Sequence, residues 1–340
     1  MTKYWSKAVF YREWQLCIWI GTLLSGSLIY NPLTEMISHL NHLKYLVQTG
    51  EPAAAGVGQW FGDLLVWSDT RSLLFLLFQV LLLVIIQFHD LRREPTGDLL
   101  ASLPFTRRQL VFTKWATGML TIAVPFLLIY LLLSLFYWLQ RDWIIDSYWL
   151  IPQWTLLHWM FLACFYSFLF LVQALMGQHV AAGIIGMICT MIPWYLLTTV
   201  PVVFRELLGL ETLDRLRDLS RYTVWNLVLN ARAEYLPPDW TTYQFIYTNF
   251  WFRILGMLVV IAGLYRLAEW AYGRNPLERN GQLLMFPFLE PVLIWGFAVC
   301  FGLLATLVFG LGYDTGFLVL AAGTALGYWL AKKVVLHYQR

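Results

Sequence analysis

The stretch Asp90–Lys114, DLRREPTGDLLASLPFTRRQLVFTK, is the long polar break between two strongly apolar segments in the first half of the chain. Pro95 has a fixed φ and no N–H, which suits the first turn of a helix. Pro104 disfavours helical geometry at the residue before it, and Thr106 with Gln109 forms a capping-box pattern. The stretch therefore predicts a short helix that ends at Pro104 and a long helix that follows.

Basic residues flank this break on both sides, close to the apolar segments: Arg92, Arg93, Arg107, Arg108 and Lys114. The positive-inside rule assigns such short basic loops to the cytoplasm. Leu99, Leu100 and Leu103 give the short helix a small apolar face. We therefore predict a cytoplasmic loop carrying an amphipathic helix, with a plain connector of solvated charges as the simpler alternative.

The composition is that of a polytopic membrane protein. Of 340 residues, 59% are hydrophobic and 13% are charged, which leaves too little polar surface to cover a soluble core. The net charge is +3 and the basic residues lie at membrane edges, so nucleic acid is not an expected partner. The four cysteines all fall in apolar segments, where they are expected to be small core residues.

The hydropathy predicts an all-α fold with about eight transmembrane helices, because a span needs about 20 mostly apolar residues. The predicted spans are Trp14–Tyr30, Leu73–His89, Leu110–Trp138, Trp154–Met176, Val180–Phe204, Trp251–Leu267, Val292–Leu311 and Phe317–Leu330. The short connection between the fourth and fifth spans predicts a tight antiparallel hairpin.

The spans divide the chain into three parts. Residues 1–13 alternate aromatic and basic side chains, which predicts an N-terminal interfacial (elbow) helix. Residues 14–268 form a six-helix core with two long outer segments, 31–71 and 205–249, which we expect helices to order. Residues 269–340 supply a cytoplasmic loop and two additional C-terminal helices. The distribution of Lys and Arg predicts a multi-pass protein of the cell membrane with both termini cytoplasmic.

The loop resembles the first cytoplasmic loop of ABC-2 type ABC transporter permeases in the order of Glu94, Gly97, Leu99, Leu100, Ser102, Leu103, Pro104, Arg107, Gln109–Val111 and Lys114. In that family the loop carries a coupling helix that docks on a separate ATP-binding subunit. The resemblance implies a permease subunit working with two ATP-binding subunits and a second permease chain, identical or related. ATP and Mg would bind to the partner, and this chain would bind no cofactor. The implied docking residues are Arg92, Arg93, Glu94, Leu99, Leu100, Leu103 and Arg107.

The last predicted cytoplasmic loop repeats part of this pattern in Glu278, Gly281, Leu283, Leu284, Pro287 and Phe288. One hypothesis is a second docking site that includes Glu278. The rival explanation is a chance match between two short segments.

No catalytic or metal site is predicted. No lysine follows a glycine, so the chain has no Walker A sequence, and it has neither HExxH nor GxSxG. His39 and His42 are expected to be solvated or interfacial, and His158 a hydrogen-bonded packing residue. ATP hydrolysis is therefore expected on another polypeptide.

The predicted fifth span contains Pro193 and Pro201, and a kink is expected at Pro193. We expect an amphipathic or hydrophobic substrate, such as a peptide, an antibiotic or a lipid-like molecule. The candidates to line its pathway are Thr190, Trp194, Thr198 and Gln79, although each also suits ordinary helix packing. Two other functions stay open: a polytopic membrane enzyme or immunity-type protein, and a secondary transporter. Both would use ionisable groups at membrane depth, of which His158 is the clear one in the predicted spans.

Overall fold

A computed structural model of the chain describes residues 6–49, 60–67, 69–89, 106–209, 214–219, 232–235, 243–274, 281–310 and 313–338. These residues are almost entirely helical. The helices are α1 Lys7–Leu28, α2 Thr34–Thr49, α3 Trp60–Trp67, α4 Asp69–His89, α5 Arg107–Leu139, α6 Leu150–Leu175, α7 His179–Leu208, α8 Asp214–Leu219, α9 Phe250–Gly273, α10 Glu290–Phe309 and α11 Tyr313–Tyr338. Two short strands, β1 Arg232–Tyr235 and β2 Tyr243–Ile246, pair antiparallel with Arg232 opposite Ile246.

The all-α polytopic fold is confirmed. Seven helical segments are long and apolar enough to cross a membrane: Lys7–Thr49, Arg107–Leu139, Leu150–Leu175, His179–Leu208, Phe250–Gly273, Pro287–Phe309 and Thr315–His337. The apolar part of α4, Leu73–His89, is shorter than these. Each of the eight predicted spans overlaps one of these helices, with several ends displaced by six to eight residues. The count of eight is approximate, because seven helices meet the length expected of a span and α4 is shorter.

The N-terminal segment forms no separate interfacial helix among the described residues. Ser6 caps α1 by accepting the N–H of Val9, and the helix then runs unbroken to Leu28. The sequence from Lys7 to Ile20 contains neither Pro nor Gly, so nothing in it interrupts the helix. A π-helical turn, Ile29–Leu33, then leads directly into α2.

The described parts of the two predicted outer segments contain helices, and the second also contains two strands. The first contains α2 and α3, and the second contains α8. The β1–β2 hairpin in the second segment was not predicted, because each strand has only four residues and the pairing is local. α7 remains helical through Pro193 and Pro201, and a kink at Pro193 stays a prediction.

The chain divides into two compact units, residues 1–87, 108–167 and 228–265 in the first and residues 88–107, 168–227 and 266–340 in the second. In the first unit, the buried side chains of α6 include Leu157, Phe161 and Tyr166. In the second unit, α10 and α11 approach closely at small residues. A Cβ on Gly323 would lie only 2.8 Å from the Cβ of Ala305, which allows the tight backbone contact typical of small-residue membrane interfaces.

Candidate functional site

Most of the predicted docking residues lie outside the residues that the structure describes: Arg92, Arg93, Glu94, Leu99, Leu100, Leu103 and Glu278. Arg107 is described and is the first residue of α5. Its Nη1 donates to the main-chain oxygen of Gly273 at 3.4 Å, at the last residue of α9. A cation near the final carbonyls of a helix interacts favourably with the helix dipole.

The two helices on either side of the predicted loop are joined by a polar cluster, which we call the polar core: Glu13, Gln87, Lys114 and Tyr166. α4 ends at His89 and α5 begins at Arg107, so Gln87 and Lys114 lie within two turns of the loop. Glu13 comes from α1 and Tyr166 from α6. All four side chains belong to the first compact unit.

An ion pair is at the centre of the polar core. Lys114 Nζ donates to Glu13 Oε1 at 2.6 Å and to the main-chain oxygen of Gln87 at 2.7 Å. Glu13 is 0% and Lys114 2% exposed. Desolvating two ions costs several kcal/mol each, and only close contacts such as these offset that cost. The pair therefore fixes α1 and α5 to the last turn of α4.

Neutral hydrogen bonds complete the polar core. Gln87 Nε2 donates to the main-chain oxygen of Lys114 at 3.2 Å, and the hydroxyl of Tyr166 donates to Gln87 Oε1 at 2.8 Å. The same hydroxyl lies 3.3 Å from the main-chain oxygen of Lys114. Gly118 makes the approach of α6 possible, since a Cβ there would overlap the Tyr166 ring. The polar core therefore links α1, α4, α5 and α6 to one another.

The sequence reasoning missed this cluster. It treated Lys114 as a cytoplasmic loop charge and placed Glu13 in an interfacial helix, and it counted His158 as the clear ionisable group in the predicted spans. The structure corrects this: Lys114 is inside α5 and fully buried. The signal was present, because Lys114 already lay within the predicted span Leu110–Trp138, where an ionisable residue indicates a buried partner.

The predicted pathway residues are divided between the two compact units. Gln79 belongs to the first unit, where its Nε2 donates to Ser27 Oγ at 2.6 Å and joins α4 to α1. Thr190 and Thr198 belong to α7 in the second unit, where their hydroxyls donate to main-chain oxygens of the same helix. Trp194 is 42% exposed. A lining role for these residues remains a prediction.

The repeated pattern in the last loop has a different structural use from the one expected of a docking site. The main chain around Leu283 and Leu284 pairs with the α6–α7 turn, where Gly177 N donates to Leu283 O at 3.3 Å and Met285 N donates to Leu175 O at 3.0 Å. Leu283 is 2% and Leu284 4% exposed. These two leucines pack against the chain's own α6 and α7, so in this structure they offer no apolar face to a partner.

The histidines behave as packing residues where the structure describes them. His158 is buried, and its Nδ1 donates to the main-chain oxygen of Trp154 at 2.7 Å, as predicted. His39 stacks against Trp60. Within the described residues, no group of three His, Cys, Asp or Glu side chains has the geometry to hold a metal ion.

Comparison with known proteins gives one match. The model of the ABC-2 family transporter proteins matches residues 64–225, slightly less than half of the chain. A search of the curated proteins and a search of the solved structures each gave no match. The matched region contains the predicted loop with α4 to α7, and therefore Gln87, Lys114 and Tyr166. Together with the polytopic helical fold, this match confirms the resemblance of the chain to ABC-2 type transporter permeases.

Proposed function

We propose that this chain is the membrane subunit of an ATP-driven exporter in the cell membrane. It would work with two copies of a separate ATP-binding subunit, which would bind ATP and Mg, and with a second permease chain, identical or related. The cargo would be an amphipathic or hydrophobic molecule, and both termini would be cytoplasmic. The observation that carries the proposal is the family match over residues 64–225, because it includes the predicted coupling loop and both flanking helices.

The polar core suggests how movement of the loop would reach the membrane helices. A docked ATP-binding subunit would push or pull residues 92–103, and the helices that precede and follow this loop carry Gln87 and Lys114, which are hydrogen-bonded to each other. Lys114 contacts both Gln87 and Glu13 at hydrogen-bond distance. Displacement of the loop would therefore move α1, α4 and α5 together instead of bending one helix alone.

The test is co-purification and ATPase activity of the full complex in nanodiscs. Leu99→Asp with Leu100→Asp should release the ATP-binding subunit, because two charges replace the apolar face that meets it. Glu94→Ala should retain that subunit but lower transport-linked ATPase activity, since it removes a carboxylate from the contact. A matched control is Leu139→Asp with Ile145→Asp, which adds the same charge to two exposed positions, one at the last residue of α5 and one in the turn that follows it.

Two outcomes would contradict the proposal. The first is a double Leu99/Leu100 variant that keeps its ATP-binding subunit at wild-type stoichiometry and activity. The second is equal loss of the subunit from the control variant, because the effect would then follow from added charge and not from the loop.

A secondary transporter is the second candidate, and the buried Glu13–Lys114 pair is the observation that favours it, since ionisable pairs at membrane depth often form proton relays. The two short hydrogen bonds donated by Lys114 favour a fixed structural pair instead. Proteoliposomes containing this chain alone separate the two. Uptake or efflux driven by a pH gradient without ATP would support the secondary transporter, and strict dependence on ATP and the second subunit would exclude it.

A further inference from the structure

A buried carboxylate lies at the opposite end of α5 from the polar core. Asp146, in the turn between α5 and α6, is 6% exposed. Its Oδ2 accepts the main-chain N–H of Gly62 in α3 at 2.9 Å, and its main-chain oxygen accepts the hydroxyl of Tyr137 at 2.9 Å. A Cβ at position 62 would lie 2.9 Å from Asp146 Oδ1, so glycine allows this close approach. The carboxylate is therefore held in a defined position.

No cation of the described residues neutralises this carboxylate. Its neighbour Asp63 uses both carboxylate oxygens to accept the hydroxyl of Tyr243, at 2.6 and 2.8 Å. Lys44 donates instead to Gln140 at 3.1 Å, and His39 interacts with Asp63. Among the residues that the structure describes, Asp146 has one hydrogen bond to its carboxylate and no ion pair. Buried charges are normally paired, so a cation placed beside the Asp146 carboxylate would be stabilised.

Burial raises the pKa of Asp146 to about 6, an effect that the Gly62 hydrogen bond opposes and the charge of Asp63 reinforces. Near neutral pH the carboxylate is therefore mainly ionised, although a proton is held more tightly than on an exposed aspartate. A cation that reaches the site competes with that proton. Binding of a cation at this site should therefore weaken as the pH falls.

A cavity lies next to Asp146. Its volume is about 140 Å³, and it is lined by Asp146, Ser147, Trp149, Leu150, Gln153, Phe245 and Ile246. An apolar cavity of about 150 Å³ in another protein binds benzene, so a cavity of this size accepts a group of several carbon atoms. The lining combines one carboxylate and two hydrogen-bonding side chains with aromatic and aliphatic walls. Aromatic walls attract organic cations through the ring quadrupole.

We propose that this cavity binds a primary ammonium group carried on a short apolar chain, with Asp146 as the anionic partner and Trp149 and Phe245 as the aromatic walls. The ammonium group would belong either to a soluble amine or to the headgroup of an aminophospholipid. The proposal concerns a ligand site outside the ATP-linked loop and is independent of the proposed exporter function.

The test is calorimetric titration of n-butylammonium chloride into the full chain in phosphatidylglycerol nanodiscs at pH 8, with sodium chloride and 1-butanol as reference titrants. We expect saturable binding of the amine only. Binding should weaken about tenfold at pH 5, one unit below the pKa of Asp146, because the carboxylate is then mainly protonated. Adding phosphatidylethanolamine to the nanodiscs distinguishes the sources: competition indicates a lipid headgroup, and its absence indicates a soluble amine.

Variants make the test specific. Asp146→Asn should abolish binding while an amide oxygen still accepts the Gly62 N–H. Trp149→Ala is a second probe that spares the fold, because Trp149 is 70% exposed, and it should weaken binding several-fold. The matched control is Asp142→Asn, the same charge change at an exposed position of the same turn. The proposal is overturned by no saturable binding to the wild type, by equal binding to Asp146→Asn, or by equal loss in Asp142→Asn.

Discussion

Replacing Lys114 by methionine tests whether the polar core stabilises the folded protein. The substitution keeps an unbranched side chain of similar length and removes two contacts, to Glu13 at 2.6 Å and to the main-chain oxygen of Gln87 at 2.7 Å. A hydrogen bond to a charged group contributes roughly 1.5–3 kcal/mol. Breaking a buried pair from one side costs about 3–5 kcal/mol, because the other charge stays buried without a partner. We therefore expect a loss of about 3–5 kcal/mol, a shift of two orders of magnitude or more in the unfolding equilibrium.

The assay is denaturant unfolding of the purified chain in nanodiscs, and the control is Lys44→Met. Lys44 is partly exposed and donates to the neutral Gln140 side chain at 3.1 Å, so its loss should cost about 0.5–1.5 kcal/mol. Glu13→Leu combined with Lys114→Met should recover most of the stability, since hydrophobic replacement of a whole buried pair is often neutral. The reasoning is refuted if Lys114→Met costs no more than Lys44→Met, or if the double variant is less stable than Lys114→Met alone.

Three further changes test other parts of the structure. Gly118→Ala should destabilise the fold by about 1–3 kcal/mol through its clash with the Tyr166 ring, whereas Gly256→Ala, with open space around it, should have little effect in the same unfolding assay. Leu284→Ala should cost about 2–5 kcal/mol and increase proteolysis of the last loop, because Leu284 is buried against α6 and α7. For Asp146, the folded pKa is raised above the unfolded value of 3.8, so stability should fall by up to about 3 kcal/mol as pH rises from about 4 to 6 and then level off. Asp146→Asn should remove this pH dependence, and an unchanged profile would contradict the assignment.

The membrane-crossing helices could be predicted from sequence because bilayer thickness demands long apolar runs, whatever the tertiary contacts are. The family was also recognisable from the loop, since its turn-forming and apolar residues follow in a definite order. The β1–β2 hairpin was not predictable, because two strands of four residues give almost no periodic signal.

The polar core could not be predicted from the sequence, for a different reason. Glu13 and Lys114 are about a hundred residues apart, and each lies near a predicted membrane edge where a solvated charge is the ordinary expectation. Only the packing of α1 against α5 shows that both are buried. The same holds for Asp146, whose sequence neighbourhood is an ordinary loop and whose burial depends on α3 and β2.

The last loop shows why similar residues can have different uses. Leu283 and Leu284 resemble Leu99 and Leu100 in spacing after a glycine, yet they are buried within the chain. Their main chain meets available hydrogen-bonding groups at the α6–α7 turn, and Gly281, at a φ of 91°, allows the backbone to turn there. Main-chain pairing at Gly177 then places both leucines against α6 and α7. Because Leu283 and Leu284 are buried in this way, they are not available to a partner, and the proposed entry point for force from the ATP-binding subunit stays at the first loop.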